Sequence, residues 1–436
     1  MQNKYIFYIA GACLLWGLIP TLVSGLFKEV SLITIIFLRF FVSGIALLSL
    51  SFFLVYYNNH HTTKEPIKLK TILKFVYSDN KNFYGMKRIY YLSILGFFGI
   101  ILQLIFYFLS LKTTSISLTM IGFQLSVIMV VIYGHAMQKE RLDFFKFLYI
   151  TLLLFSIGII FFVKGDNLFL EQANASLIGF FYILAFALCL SFFQITVDRD
   201  SFSKDEIELI NSNEDYKIIR LLLKISIIFL SGIGLMLPLL IILYFIPLNT
   251  FLTPEIKQFP LDLLDVNVIF RWEILFLIIF STIIPYLLLF IANAKWSPYN
   301  LTYHQWNNVL TIIEPIGGIC FGVFFRVETF PLEYLIIVVF LLVLSILFRY
   351  VHEATNKINA FIVLQEKKGT LKSIPYWLLK LNGVHAVYTL VGKFDLLINI
   401  RSNSMKEFNN LVNNSIRPLQ ELKIITILFI NKVNKV

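Results

Sequence analysis

Ten long apolar blocks constrain this chain more than any other feature of its sequence. Each block is about 20 residues long, the length that an α-helix needs to cross the hydrocarbon core of a bilayer. Charged residues make up only 14% of the 436 residues, whereas a soluble domain carries about 25%. The sequence therefore predicts an all-α polytopic membrane bundle, with spans at residues 5–27, 31–56, 89–111, 114–137, 142–164, 175–197, 221–247, 272–293, 301–325 and 331–350.

Basic residues predict which side of the membrane each connection faces. Lysine and arginine concentrate in alternate connections, above all in the loop 57–88, and the positive-inside rule then predicts that both termini are cytoplasmic. The net charge of +11 is explained by these flanking loops, so no nucleic-acid partner is expected. Residues 64–77 fit either an amphipathic helix on the inner leaflet or a solvated basic segment. The loop 198–220 mixes acidic and basic residues and is predicted to be solvent-exposed.

The ninth predicted span carries polar residues that a lipid-facing helix would not tolerate. Its middle contains Glu314 followed by Pro315, and a carboxylate near the bilayer centre costs about 2.5 kcal/mol or more. On a helix, one face is shared by Asn307, Thr311, Glu314 and Gly318. This face is predicted to line a transport pathway. The alternative is that it only holds neighbouring helices together.

Further polar or aromatic side chains within the spans extend this candidate pathway. The substrate-pathway candidates are Trp16, Gln103, Gln124, Gln194, His304, Asn307, Asn308 and Glu314. A single residue of this kind is more often an interhelical packing residue than a ligand contact. Glu314 is the carboxylate placed firmly inside a span, so it is the candidate for a protonation switch or for pairing with a substrate amine. Its competing role is to cap backbone groups that Pro315 leaves free.

The two halves of the bundle share one pattern. Glu140 follows Val127 by thirteen positions and Glu328 follows Pro315 by the same interval, which gives a constant offset of 188 residues. Each half has an odd number of spans, so the second half must be inverted with respect to the first. Inverted repeats are a recurring plan of secondary transporters, with the substrate site between the halves. The predicted repeats are residues 5–164 and 175–350.

Three stretches resemble the EamA-type drug/metabolite transporters. The run 12–39 resembles the opening of that family, with a Trp-Gly pair in the first span and Arg39 in the second. The run 107–142 resembles its third and fourth spans, and 314–328 resembles the equivalent part of its second half. The resemblance implies that residues 1–350 form a membrane transporter domain. It also implies a secondary transporter, with export of a small metabolite such as an amino acid.

A small soluble domain is predicted after the last span, at residues 357–436, because the composition changes there. Its patterns predict the element order βαββαβ, which is the ferredoxin-like α+β plan. The predicted strands are 358–365, 384–392, 394–400 and 422–432, and the predicted helices are 370–381 and 404–416.

Within this tail, the run from Gly383 to Leu397 resembles the ligand-binding domain of the Lrp/AsnC (leucine-responsive) regulators. The resemblance implies that Gly392, Phe394 and Asp395 bind a small effector, and that the domain associates into a homo-oligomer through its sheet. It does not imply a transcription factor, because a membrane domain replaces the DNA-binding region of that family. The competing role of Asp395 is to cap a turn.

No catalytic constellation or metal site is recognisable in the sequence. The histidines lack metal-ligand spacing, the three cysteines lie inside apolar blocks, and a phosphate-binding glycine-rich loop is missing. Neither an enzymatic activity nor a cofactor is therefore predicted. The leading hypothesis is a cell-membrane transporter of a small organic metabolite, regulated by its cytoplasmic tail. The alternative is a membrane-anchored small-molecule sensor or assembly module without transport.

Overall fold

The structure is a computed structural model of the chain. It describes residues 3–61, 66–67, 86–138, 143–170, 173–197, 206, 209–210, 213, 215–246, 252–296, 301–355, 358–366, 374–381, 383–392, 394–402, 408, 411–417, 419 and 422–430. Glu140 and most of the predicted amphipathic segment 64–77 lie outside these residues.

The prediction of ten membrane spans is confirmed, because ten helices in the described part of the chain are long and apolar enough to cross a membrane. Spans 1–10 comprise, in chain order, Asn3–Gly17 with Ile19–Leu26; Leu32–His61; Arg88–Gly96, the π-helical turn Phe97–Leu102 and Gln103–Thr113; Ile116–Gln138; Phe144–Leu170; Ala173–Val197; Asp215–Phe245; Trp272–Ile278, the π-helical turn Ile279–Ile283 and Ile284–Ala294; Tyr303–Leu310 with Ile313–Phe324; and Leu332–Thr355.

One loop prediction was wrong in the part that the structure describes. Span 7 already begins at Asp215, inside the loop 198–220 that was predicted to be solvent-exposed. Glu206 in the same stretch is only 4% exposed. It forms ion pairs of 3.3 Å with Arg88 and 3.1 Å with Arg220. The mixed charges looked solvated in the sequence, but a carboxylate between two guanidinium groups can be buried because the opposite charges compensate each other.

The spans pack in pairs that repeat across the bundle. Span 1 packs against spans 8 and 9, and span 6 packs against spans 3 and 4. Span 2 packs against span 7, and span 5 against span 10. Lipid supplies no hydrophobic driving force between helices, so close approach at small residues becomes important. Span 3 meets span 7 in this way, with the backbone of Gly96 directly against that of Gly232.

Acidic side chains cap spans at one end of the bundle. The helix Leu252–Leu264 lies between spans 7 and 8 in the chain, and it carries two buried carboxylates. Asp262 accepts a hydrogen bond of 2.8 Å from the backbone N–H of Ser31, and Glu255 accepts one of 2.7 Å from that of Leu32. Glu328 likewise accepts a bond of 2.9 Å from the backbone N–H of Ser117 in span 4. These N–H groups have no partner within their own helix, so the carboxylates complete the helix ends.

The tail forms a small antiparallel sheet with its own apolar core. The strands are β1 (Ile358–Glu366), β2 (Val384–Thr389), β3 (Leu396–Ser402) and β4 (Leu422–Ile430), in the spatial order β2-β3-β1-β4. All three strand pairs are antiparallel. A helix, Ile374–Leu379, connects β1 and β2, and a π-helical turn, Val412–Ile416, lies between β3 and β4. The four predicted strands are thereby confirmed, with ends that shift by no more than a few residues.

Candidate functional site

A break in span 9 sets the position of Glu314. Pro315 has no backbone N–H, so it cannot donate to the carbonyl group of Thr311, four residues earlier. The first helix accordingly ends at Leu310, and a second helix begins at Ile313. The backbone N–H of Glu314 donates to the Thr311 carbonyl over 3.2 Å. The carboxylate thus lies in the first turn of the second helix, where the helix dipole favours a negative charge.

A second break, in span 1, lies directly beside the first. The first helix of span 1 ends at Gly17, and the next begins at Ile19 with Pro20 in its first turn. A methyl group on Gly17 would lie 3.1 Å from the carbonyl oxygen of Glu314 and 3.0 Å from Cα of Gly317. Two discontinuous spans therefore meet at Glu314. Secondary transporters typically bind substrate at such breaks near the middle of the membrane.

The Glu314 carboxylate has no direct partner in the part of the chain that the structure describes. It lies within electrostatic range of Arg39, Cys13, Tyr107 and Tyr286, which come from four other spans. The side chain is only half-buried, although it lies near the middle of its span. Among the residues that the structure describes, none donates a hydrogen bond to this carboxylate or forms an ion pair with it. A carboxylate at this depth needs a proton, a cation or a polar ligand.

Arg39 is a charged residue of the site that was not among the pathway residues predicted from the sequence. It is only 4% exposed. Its Nε donates to the Oγ1 of Thr282 over 2.7 Å, and its Nη2 donates to the carbonyl oxygen of Ser281 over 2.8 Å. Both acceptors lie in the π-helical turn of span 8, a rare geometry that is frequent at functional sites. The sequence could have indicated this residue, because Arg39 is the single charged residue inside the predicted span 31–56.

Aromatic side chains form one wall beside these charges. Trp16 packs edge-to-face on Tyr286, with ring centres 5.6 Å apart. Tyr286 in turn contacts Phe229 of span 7 at 5.4 Å. Trp306 does not join this wall through Trp16, because its nearest ring contact is Tyr350 of span 10 at 5.3 Å. An apolar wall next to two opposite charges suits an organic ligand better than a bare ion.

The remaining pathway candidates are distributed over the bundle. Gln124 is 1% exposed, and its Oε1 accepts a hydrogen bond of 2.6 Å from Ser156, so it links spans 4 and 5. Gln103, Gln194, His304 and Asn307 are half-buried, and Asn308 is exposed. Trp16 therefore lies next to Gly17, which packs on the backbone of Glu314, whereas Gln124 has a partner in a different interface.

The candidate effector residues lie on the turn between β2 and β3. Gly392 has a φ of +131°, a conformation that favours glycine. Phe394 and Asp395 are half-buried. The backbone N–H of Asp395 donates to the carbonyl of Leu364 over 3.2 Å, and its carbonyl accepts from Leu390 over 2.8 Å. The turn is therefore fastened to β1, with Gly392 at its exposed tip.

Comparison with known proteins finds a similarity over the first half of the bundle. Residues 3–162 match the EamA-like transporter family. The EamA-like region contains spans 1 to 4 and most of span 5, and it stops before the second half and the tail. The family is one of transporters and not of enzymes. Trp16, Arg39 and Tyr107 belong to the EamA-like region, whereas Tyr286 and Glu314 lie beyond it, so the site joins the matched region to the second half.

Two further comparisons add little to the EamA-like match. Among curated proteins, none matches the chain. One solved structure, titled "Crystal structure of protein", aligns over 81% of this chain and 100% of its own, with 12% sequence identity and a TM-score of 0.47. A similarity at this level supports no statement about function.

Proposed function

We propose that the chain is a secondary transporter that moves a small organic solute across the cell membrane through a site at Glu314. The observation that carries the proposal is a carboxylate at the junction of two broken spans, half-buried and without a protein partner among the described residues. The EamA-like match of residues 3–162 supports it, because that family consists of transporters. Solute movement would require the site to open alternately to the two sides.

Two related halves would provide this alternating access. The π-helical turns support an inverted repeat, because one lies in the third span of the first half and the other in the third span of the second half. The glycine contacts support it too. Gly17 of span 1 packs on span 9, and Gly122 of span 4 packs on Phe186 of span 6, which is the contact expected when the halves are exchanged. Basic residues are concentrated in alternate loops, so both termini would lie in the cytoplasm.

The tail would regulate transport as a ligand-binding domain. Its strand order β2-β3-β1-β4, with helical segments in both connections, supports a ferredoxin-like topology. Gly392, Phe394 and Asp395 would bind a small effector at the β2–β3 turn. Self-association would use the sheet face opposite the core, where Phe361 lies beside Leu428, and Leu428 is 53% exposed. Regulation requires the effector to bind two transporter states with different affinity.

Flux from proteoliposomes tests the transport function. Vesicles are loaded with a defined mixture of the twenty amino acids and small amines, and the released solutes are quantified by mass spectrometry. Wild-type protein and the control Glu333→Gln, an exposed glutamate of span 10, should release particular solutes faster than protein-free vesicles. Glu314→Gln should lower that rate at least about tenfold, because loss of a charge-assisted contact costs about 1.5 kcal/mol or more. Equal release from wild-type and protein-free vesicles would contradict the proposal and favour a membrane-anchored sensor.

A further inference from the structure

Arg39 and Glu314 lie at similar depth in the bundle. Arg39 is seven residues from the start of span 2, and Glu314 is ten residues from the end of span 9. Thr282, which holds Arg39, is ten residues from the start of span 8. Adjacent spans run in opposite directions, so these three span ends belong to the same side of the bundle. At 1.5 Å per residue, the three side chains are about 10–15 Å from that side.

The two charges are close enough to interact but do not pair directly. Glu314 and Arg39 lie within electrostatic range of each other, yet no nitrogen–oxygen distance between them is 4.0 Å or less. Nη1 of Arg39 is buried and has no hydrogen-bond partner in the described part of the chain. The Glu314 carboxylate has none either. Each charged group therefore lacks a direct partner of opposite charge. Leaving a charge unpaired at this depth in the membrane costs free energy.

We propose that Arg39 and Glu314 together bind a small zwitterion, with its carboxylate on Arg39 and its cationic amine on Glu314. This inference rests on the proposed transport function. A purely anionic solute would leave Glu314 without a partner, and a purely cationic one would do the same to Arg39. An uncharged solute would offer neither charge a partner of the opposite sign. A molecule with both a carboxylate and an ammonium group gives Arg39 and Glu314 each a partner of opposite charge, and it adds no net charge to the membrane interior.

The π-helical turn of span 8 gives Arg39 its orientation. Thr282 and Ser281 occupy Nε and Nη2, which leaves Nη1 as the nitrogen available to a substrate carboxylate. Thr282 is in turn fixed, because its hydroxyl donates to the carbonyl of Leu277 over 2.9 Å. Thr282 is therefore a positioning residue, whereas Arg39 determines specificity. Tyr286, one turn further along span 8, carries the aromatic wall that would contact the apolar part of the solute.

Matched ligands separate the two charge contacts. The probes are L-leucine, L-leucine methyl ester, which lacks the carboxylate, and N-acetyl-L-leucine, which lacks the ammonium group. Binding is measured by thermal shift on the full-length protein in nanodiscs, and L-alanine and L-phenylalanine are tested with the same derivatives. For at least one of the three amino acids, wild-type protein should bind the free amino acid at least about tenfold more tightly than either derivative.

The variants assign each contact to one residue. Arg39→Gln should abolish the preference over the methyl ester and keep that over the N-acetyl derivative, and Glu314→Gln should do the reverse. Thr282→Val, which keeps both charges, should weaken the preference over the ester about threefold to tenfold. Arg349→Gln is the control. Arg349 is also a buried arginine with nitrogens that lack hydrogen bonds in the described part, but it is six residues from the end of span 10 and therefore lies toward the opposite side of the bundle.

A charge-conserving variant and the flux measurement distinguish failure of the zwitterion site from failure of transport. Arg39→Lys, which keeps the charge, stands in if Arg39→Gln fails to fold, and it should reduce the preference over the ester. Equal binding of the amino acids and their derivatives, or binding of none of the probes, overturns the zwitterion site. Proteoliposome flux of only uncharged or singly charged solutes would overturn it as well, while leaving the transport function intact. Absence of any flux removes the transport function itself.

Discussion

Gly17 of span 1 lies so close to Gly317 of span 9 that a methyl group on Gly17 would be 3.0 Å from Cα of Gly317. The contact occurs where both spans are interrupted, so it fixes the two breaks against each other. Any side chain at position 17 would push the second helix of span 9, which begins one turn before Gly317 and carries Glu314. The position of Glu314 therefore depends on Gly17, whose side chain is only a hydrogen atom.

Gly17→Ala is expected to lower stability and transport together. The added methyl group would meet backbone atoms of Gly317 and Gly318 at 3.0 Å, and a packed backbone yields little. Overpacking of this kind costs about 1–3 kcal/mol. The control is Gly11→Ala in the same span, where nothing lies within 4 Å of the new atom. Thermal unfolding in detergent and proteoliposome flux measure the two effects, and an unchanged midpoint for Gly17→Ala would count against this packing.

Gly96→Ala is expected to be more disruptive than Gly17→Ala. A methyl group at this position would overlap the backbone carbonyl oxygen of Ile228 in span 7, so spans 3 and 7 would have to separate. The free energy of unfolding should fall by about 3 kcal/mol, at the upper end of overpacking costs. Gly234→Ala in span 7 is the control, because its new methyl group would have no neighbour within 4 Å. Equal unfolding midpoints for the two variants would show that the spans do not touch at Gly96.

Removal of the capping carboxylates should loosen the helix Leu252–Leu264. Asp262→Ala deprives the Ser31 N–H and the Thr34 hydroxyl of their acceptor, and Glu255→Ala deprives the Leu32 N–H and the Lys112 ammonium. Loss of a cap costs about 1–2 kcal/mol. Hydrogen exchange of this helix and of the first turn of span 2 should therefore accelerate about tenfold.

The exposed Lys257 lies on the same helix, and Lys257→Gln serves as the control that should leave exchange unchanged. The capping role is refuted if both alanine variants exchange at the rate of this control.

Gly392→Ala is expected to strain the β2–β3 turn without a steric clash. No atom lies within 4 Å of the added methyl group, so the cost comes from the φ of +131° alone. Residues other than glycine pay about 1–3 kcal/mol in sparsely populated backbone regions. Hydrogen exchange in the full-length protein should rise in β2 and β3 and stay constant in the spans. Val391→Ala, at a fully exposed neighbour, should have no effect, and an equal response of both variants would exclude backbone strain as the cause.

The sequence alone determined the ten spans, the tail strands and the backbone carbonyl group that Pro315 leaves free beside Glu314. These features are local. A block of apolar residues specifies a membrane helix, alternation of apolar residues specifies a half-buried strand, and Pro315 removes a hydrogen bond whatever surrounds it. Glu314 could be selected for the same reason, since the cost of a carboxylate in a span does not depend on knowing its neighbours.

Only the tertiary structure decided which side chains meet. Arg39 reaches Thr282 across 243 positions of the chain, and Gln124 is paired with Ser156 of the next span rather than with the groups around Glu314. Glu206 is buried between two arginines, although the mixed charges of its segment predict solvent exposure. Such contacts follow from how whole helices pack and from where a π-helical turn presents its acceptors, and neither property is encoded in the hydropathy of a single segment.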